Sequence, residues 1–540
     1  MTTTARSAPR QRGALGALAG LLAATVALGV GELLAGLVGP ESSPVVAVGN
    51  TVISLTPESV KRVAIATFGQ HDKLALVTGT LVLLTLFACL VGLLALRSRR
   101  LGVLAFLLFG LLGAVAAATR PAGGPFDALP SLGGAAAGAV ALRALLGPLT
   151  VPEPVDRRER AVGSSSIDRL RTALASGDRA GTAIDRRGFF VAGGVALGAA
   201  VLTGGGGRLL QRRFVVAAER ADLGLPGPAS PAPALPAGAD LAREVHGVTP
   251  LFTANRDFYR IDTALTVPQV RPASYRLTLA GMFDTPRHYT LAQLYGRDDL
   301  IERDITITCV SNEVGGTLAG SARWLGVPLG ALLRENGVRP ESSQLLCRSV
   351  DGMTIGAPTR SALDVEDAML AIGMNGDPLP VEHGFPVRMI IPGLYGYVSA
   401  CKWLASIEAT TFDAVDAYWV RRGWAAEGPI KIASRIDTPA PLRAFASGQR
   451  PIAGVAWAQT RGISRVEVRV DDGPWTDADL APAADADLWR QWVLRHDFTP
   501  GPHTVTVRAT SADGELQPEA RADPFPSGAT GWHTVEVVAG

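Results

Sequence analysis

Long apolar runs fill the first 210 residues of this chain, and short alternating runs take over after His246. Residues 13–38 are apolar except for Glu32, enough to cross about 30 Å of hydrocarbon. Residues 73–96 form a second run and end in Arg97-Ser98-Arg99-Arg100; residues 101–118 form a third. Residues 131–151 make a weaker, alanine- and glycine-rich fourth span with Arg143 towards its end, and residues 188–207 make a fifth. The segment 45–68 carries Glu58, Lys61 and Arg62 and reads as an external loop with an interfacial helix; if it spans instead, the charge pattern fails at Arg97–Arg100. With five spans, the N-terminus, Arg97–Arg100 and the arginine-rich loop 152–187 share one side. The positive-inside rule makes that side cytoplasmic and leaves everything after residue 207 extracytoplasmic.

The pattern then changes twice. Residues 208–245 are rich in proline and alanine and predict an extended tether that does not dock rigidly. From His246 strand-like runs (275–279, 305–309, 344–347, 387–391) alternate with helical pieces (291–295, 329–336, 365–370), separated by Gly/Pro turns. From about Pro429 the pattern is all-β, with alternating strands at 451–457, 463–470, 489–494, 503–509 and 532–538 at sandwich-like spacing. The expected architecture is multi-domain: an N-terminal transmembrane α-helical bundle (1–207), the linker (208–245), an α/β (α+β) domain (246–425) and an Ig-like β-sandwich (426–540).

A mean hydropathy of +0.23 across 540 residues reflects the apolar front end and predicts a membrane protein with a soluble tail. A net charge of +2 gives no reason to expect nucleic acid as a partner. The cysteines are Cys89, Cys309, Cys347 and Cys401, without a CxxC or CxxCH pattern, which argues against a zinc ribbon, a thioredoxin-type pair or attached c-type haem. Nothing in the sequence forces or forbids a disulfide between Cys347 and Cys401. All seven histidines lie outside the five spans, so the spans hold no bis-histidine haem site. Their few charges, Glu32 and Arg143, argue for an anchor or docking surface over a transporter. Ile184-Asp185-Arg186-Arg187-Gly188-Phe189-Phe190 before an apolar run resembles a twin-arginine export signal, although it also reads as an ordinary span flanked by positive charge.

Three stretches carry candidate chemistry. In Ile305 through Asn312 threonine alternates with β-branched residues and ends at Cys309, before Gly315, Gly316 and Gly320. A thiol at the end of a buried strand is placed to ligate a soft metal, though most free cysteines are packed core. In His383-Gly384-Phe385-Pro386-Val387-Arg388 a histidine and an arginine flank an entering strand, and a Gly/Ser loop leads on to Lys402. Arg and Lys beside loop amides suit a phosphate. Leu251 through Arg260 is dense in polar and aromatic residues, consistent with ligand contact or with a packed N-terminal arm.

Taken together, Thr308-Cys309-Val310-Ser311-Asn312, Ala322-Arg323-Trp324-Leu325-Gly326, Met374 through Pro380, and His383 through Arg388 to Lys402-Trp403 resemble the sulfite oxidase family of molybdopterin enzymes. The resemblance covers roughly residues 246–540, and its tail, with Gly454 through Trp457 and Trp532-His533, resembles the family's Ig-like dimerisation domain. It implies a molybdenum–molybdopterin cofactor and Cys309 as the catalytic thiolate ligand to the metal. His383, Arg388, Ser399 and Lys402 would hold the pterin and its phosphate, and Asn255, Arg256 and Asp351 match cofactor-contact positions more loosely. It also implies oxygen-atom transfer with a small oxyanion or oxide, a separate electron-transfer protein or carrier, and a homodimer through the tail.

The chain departs from the family where charge matters. Ala254 stands where the sulfite-binding enzymes have an arginine, and Glu313 and Val314 stand where they have basic residues. Fewer positive charges weaken the fit to a divalent oxyanion and leave open an S- or N-oxide reductase, or a cell-surface module that keeps the fold without the chemistry. Tyr259, Tyr395 and Tyr397 are the candidates for a substrate-facing tyrosine.

Overall fold

A computed structural model describes residues 9–56, 60, 72–120, 123–149, 151–152, 182–183 and 186–540. The chain divides into two compact units, Met1–Val215 and Val216–Gly540.

The first unit is helical: α1 (Pro9–Val38), α2 (Pro44–Leu55), α3 (Asp72–Arg97), α4 (Arg99–Ala118), α5 (Leu129–Leu146) and α6 (Arg186–Gln211). Among the described residues, five helices are long and apolar enough to cross a membrane, α1 and α3 to α6. Helix α2 falls below that length, and most of residues 57–71, where the rest of the 45–68 segment falls, lie outside the described residues. So do most of the 152–187 loop and Ile184-Asp185 of the twin-arginine pattern. Small residues let α1 approach its neighbours. A Cβ on Gly20 would meet the Ala88 carbonyl, and one on Gly207 would meet the backbone of Glu32. Glu32 is not left bare: Ser43 Oγ donates to one carboxylate oxygen (2.5 Å) and Gln211 Nε2 to the other (2.8 Å).

The second unit holds four sheets. Strands β1 (Arg276–Gly281), β2 (Arg287–Thr290), β5 (Gln344–Ser349), β6 (Thr354–Pro358) and β10 (Leu404–Thr410) form one sheet in the order β2-β1-β10-β5-β6. Strands β3 (Ile301–Thr308), β4 (Ala319–Pro328), β7 (Met369–Met374) and β8 (Asp377–Pro378) form another in the order β8-β7-β4-β3, with β9 (Arg388–Ile390) also paired to β7. Only β1–β10 is a parallel pair in these two sheets. The 365–370 stretch expected as helix is instead a turn of chain leading into β7. Met369 to Met374 is buried on both faces, and such a continuous apolar run carries no period that separates strand from helix.

Two further sheets follow. The first runs β11-β13-β17-β16, from Ala433–Thr438, Gly448–Trp457, Arg490–Phe498 and Asp479–Leu480. The second runs β12-β19-β18-β14-β15, from Ala444–Phe445, His533–Ala539, Gly501–Ser511, Ile463–Val470 and Thr476–Asp477. Their alternate residues, including Ile436, Ile452, Val466, Trp492, Val505 and Val535, share one core.

The proline-rich stretch is not the loose tether its composition predicts. From Val216 onward it belongs to the second unit. Val216 is fully buried, Arg220 donates to the carbonyls of Leu379 (2.7 Å) and Pro378 (2.5 Å), and Ser230 bridges Ile301. The reason is an open edge. β3 ends its sheet, so its outer backbone groups need partners. Residues 229–230 bond to Leu300 and Glu302 along its first half, and the Asp487 carbonyl accepts from Thr306 N–H in its second. The strand that leads to Cys309 is thereby clamped from outside the sheet.

Candidate functional site

Cys309 is the first residue past β3. Its N–H donates to Leu318 O (2.9 Å) and its carbonyl accepts from Asn312 N–H (3.0 Å), while Asn312 Oδ1 accepts from Leu318 N–H (2.8 Å). The β3–β4 loop is thus closed on itself at the root that carries the sulfur. Gly315, at φ 79°, turns this loop against His533, and a Cβ there would fall onto the imidazole.

Burial raises the Cys309 thiol above its ordinary range, while the N–H and hydroxyl of Ser311 and the charge of Lys402 pull it back. Cys347 differs: burial alone pushes it up to about 12, and its sulfur rests 3.5 Å from Met389 Sδ. Cys401, also buried, turns its sulfur to the Lys402 carbonyl (3.8 Å). Both are free thiols. Among the described residues, only Cys309 has donors aimed at its sulfur, as a thiolate ligand requires.

Two phenols flank the thiol. Burial raises both Tyr259 and Tyr395 above the ordinary phenol range and Cys309 adds to it; at Tyr395, which goes up to about 12, the Lys431 N–H (3.4 Å) opposes the rise more than Cys309 adds, and both keep their protons near neutral pH. Gly396 lies between the Thr308 carbonyl and the Tyr259 hydroxyl. Tyr397 donates instead to Ala425 O at 2.8 Å.

A basic cluster lies alongside. Arg388, buried on β9, donates to His383 O (3.2 Å), lies 5.2 Å over the Trp324 ring, and leaves its Nε without a partner. Burial lowers its guanidinium to about 10. Burial and the charges of Arg388 and Lys402 lower His383 to about 4, so it is neutral near pH 7. Its Nε2 lies 3.1 Å from the Asn255 carbonyl, so Nε2 carries the proton and Nδ1 keeps a lone pair. Gly384, at φ 110°, lets the chain close on Lys402, whose Cα a Cβ would meet at 3.1 Å. Lys402 Nζ donates to Asp262 Oδ2 (2.7 Å), and Arg260 Nε reaches the same oxygen (2.8 Å).

The structure therefore brings Cys309, His383, Arg388, Lys402 and the Asn255 backbone into one region. Three of the expected contact residues sit differently. Ser399, fully buried, turns its hydroxyl back to the carbonyls of Leu394 (2.9 Å) and Tyr395 (3.1 Å), fixing the loop rather than offering the hydroxyl outward. Asp351 Oδ1 accepts from Met353 N–H (3.2 Å) in a tight turn near Cys401. Arg256 is largely solvent-exposed beside Asp257 (3.4 Å). The Asn255 side chain bonds Met374 O and Asn375, so only its backbone reaches His383. Arg260 closes the polar and aromatic stretch that the sequence marks for ligand contact, whereas Asp262, two residues on, had no signal but its Arg-x-Asp spacing. Sequence reasoning passed over Arg435 and His533, which act from strands more than a hundred residues away.

The residues present fit a phosphorylated, thiolate-ligated cofactor. Arg260 and Lys402 share one carboxylate, Asp262, and Arg388 adds a third cation near Lys402, leaving about two positive charges, close to what a phosphate monoester carries in the opposite sign. The buried, unpartnered Arg388 Nε is a donor in want of an acceptor.

Comparison with known proteins gives the same identity to this region. Residues 264–419 match the model of the oxidoreductase molybdopterin binding domain. The chain is 28% identical over 308 residues to the sulfite oxidase of Gallus gallus, covering 48% of this chain and 66% of that protein. It is 30% identical over 282 residues to the mitochondrial sulfite oxidase of Mus musculus (43% and 50%), and 26% identical over 318 residues to the NADH nitrate reductase of Solanum lycopersicum (47% and 35%). The chain thus spans from about a third to two thirds of the length of these relatives.

Proposed function

Because its molybdopterin-binding domain belongs to the sulfite oxidase family of molybdenum oxidoreductases, we propose that this chain is a membrane-anchored enzyme that transfers an oxygen atom to or from a small oxyanion or oxide on the extracytoplasmic face. The supporting observation is the placement of Cys309, the thiol that Ser311 and Lys402 favour as a thiolate, beside a basic cluster whose Arg388 Nε lacks a partner.

A bound molybdenum–dithiolene group supplies two-electron oxygen-atom chemistry. Cys309 is its protein thiolate. Arg388 and Lys402 would hold the phosphate, and the free Nδ1 of neutral His383 would be an acceptor for the pterin. Asn255 fixes that tautomer through its carbonyl. Ser399 holds the loop before Lys402, and Asp351 and Arg256 contribute at the rim. The protonated phenols of Tyr259 and Tyr395 would offer hydrogen bonds to an oxygen at the metal. A separate carrier would take or supply the electrons.

The same observations carry a second reading, reduction of an S- or N-oxide. Ala254 and Glu313 are both exposed at this end of the domain, and neither supplies the positive charge a divalent oxyanion calls for. Neutral phenols suit an uncharged oxide.

Helices α1 and α3 to α6 serve as the anchor with the N-terminus inside, Arg186-Arg187 as the export determinant, residues 246–425 as the catalytic domain and residues 426–540 as an Ig-like dimerisation domain. The test is metal and pterin content of the purified chain, followed by sulfite-dependent reduction of an acceptor beside oxide-dependent oxidation of a reduced dye. Molybdenum in the wild type and its loss in Cys309→Ser support the reading. A metal-free wild type from a cofactor-competent host makes the domain a non-catalytic module.

A further inference from the structure

We propose that Asp262 is the positioning residue of the phosphate cradle: by gripping Lys402 and Arg260 at one oxygen it keeps the Lys402 ammonium charged and aimed at the phosphate. This rests on the cofactor reading above. The Asp262 side chain is 4% exposed and that of Lys402 is 10% exposed, so water does little for either charge. Lys402 Nζ makes its short bond to Asp262 and a longer one to Glu382 O (3.4 Å), and sits 4.6 Å from the centre of the Trp403 ring. The titratable groups around it include two cations, one imidazole and two thiols. Arg388 on β9 and Arg260 on the aromatic arm oppose its protonation, His383 is neutral, and Cys309 and Cys401 are buried thiols.

Burial and these two cations push the ammonium down to about 8, with Asp262 working the other way through its charge and its hydrogen bond. Without Asp262 the amine loses its proton within the neutral range. It then keeps two N–H donors but loses the positive charge that holds a phosphate dianion. The short side chain of Asp262 holds two cations at one oxygen, so a carboxylate here orders the cradle before any phosphate arrives. A purely structural Asp262 would make the cradle fail equally at every pH. A charge-keeping Asp262 makes it fail only where Lys402 is neutral.

The experiment loads the full chain with cofactor in a competent host. The protein is passed through gel filtration at steps from pH 6 to pH 9, and the retained pterin is measured by fluorescence after oxidation. Wild type should release pterin only near the top of this range, because a bound phosphate adds to the pull of Asp262 on an ammonium that burial otherwise lowers to about 8. In Asp262→Asn the midpoint should move down by about one pH unit or more, with retention at pH 6 close to wild type. In the double variant Asp262→Asn/Lys402→Arg, retention should lose its pH dependence, because a guanidinium stays charged throughout. An unchanged midpoint in Asp262→Asn, or the same loss at every pH, overturns the proposal. If Asp262→Asn does not fold, Lys402→Arg alone decides: a pH-independent profile supports the proposal and a wild-type profile overturns it. A wild type that holds no pterin at any pH sinks the cofactor reading itself, and it does so before any substitution is compared.

Discussion

Arg435 Nη1, on the first strand of the C-terminal sheet pair, donates to the carbonyl of Gly316 at 3.0 Å, in the loop that starts at Cys309. The same guanidinium donates to Asp437 Oδ1 (2.6 Å) and to Thr249 Oγ1 (2.8 Å). Below the sulfur, Thr306 Oγ1 accepts from Trp489 N–H (2.8 Å) and Gln459 Nε2 donates to the Thr306 carbonyl (3.1 Å). The sheet pair thus grips the cysteine strand and loop on both sides of residue 309.

Arg435→Met should cost about 3–5 kcal/mol, because it leaves the buried Asp437 carboxylate without its partner. Denaturant unfolding of the purified chain measures this, and molybdenum content should fall with it. A loss below about 1 kcal/mol would show that the guanidinium is not structural.

Gly315→Ala should lower stability by about 2 kcal/mol or more, from a positive φ and a Cβ placed on His533. In the background of His533→Ala the penalty should shrink without vanishing, since the backbone conformation remains. Equal penalties in both backgrounds would refute the contact.

Asp487→Asn should stabilise the protein at pH 8 and change little at pH 4. Burial, with Asp485 and Asp367 nearby, raises the Asp487 carboxyl to about 7 in the folded chain against roughly 4 unfolded. Between those values the folded state binds the proton that the unfolded state lacks, so the ionised form costs stability as the pH rises. The full cost, about 2–4 kcal/mol, is present above pH 7. The amide keeps an oxygen for the Thr460 N–H, which bonds Oδ1 at 2.6 Å. A variant no more stable than wild type at pH 8 would refute the assignment.

Acid should weaken the fold through His383 and His533, both lowered to about 4 chiefly by burial. As the pH falls from 6.5 towards 4, the unfolded chain gains protons that these folded imidazoles refuse. His383 alone then costs up to about 3 kcal/mol. His533 Nδ1 accepts from Ile436 N–H at 2.9 Å, and protonation would end that bond. Asparagine at 533 can still accept there, so His533→Asn should lose less stability between pH 7 and pH 5 than wild type. Parallel pH profiles for the two proteins would argue against this.

Elements were legible in the chain alone. Apolar length marked the membrane-competent helices and alternation marked most strands from Tyr275 to Val538, and the motifs around Cys309, His383, Arg388 and Lys402 stood out as candidates, because each signal is local. The 365–370 stretch failed that reading for a local reason too, since a run buried on every side has no period to read. Which distant groups meet depends on the folded chain. Residues 216–245 look unstructured until the open edge of β3 gives their backbone partners. Arg435, His533 and Asp262 look like ordinary polar positions until the fold buries them beside a cysteine loop and a lysine. Burial and pairing set the energy of a charge, and both are properties of neighbours in space that no local pattern contains.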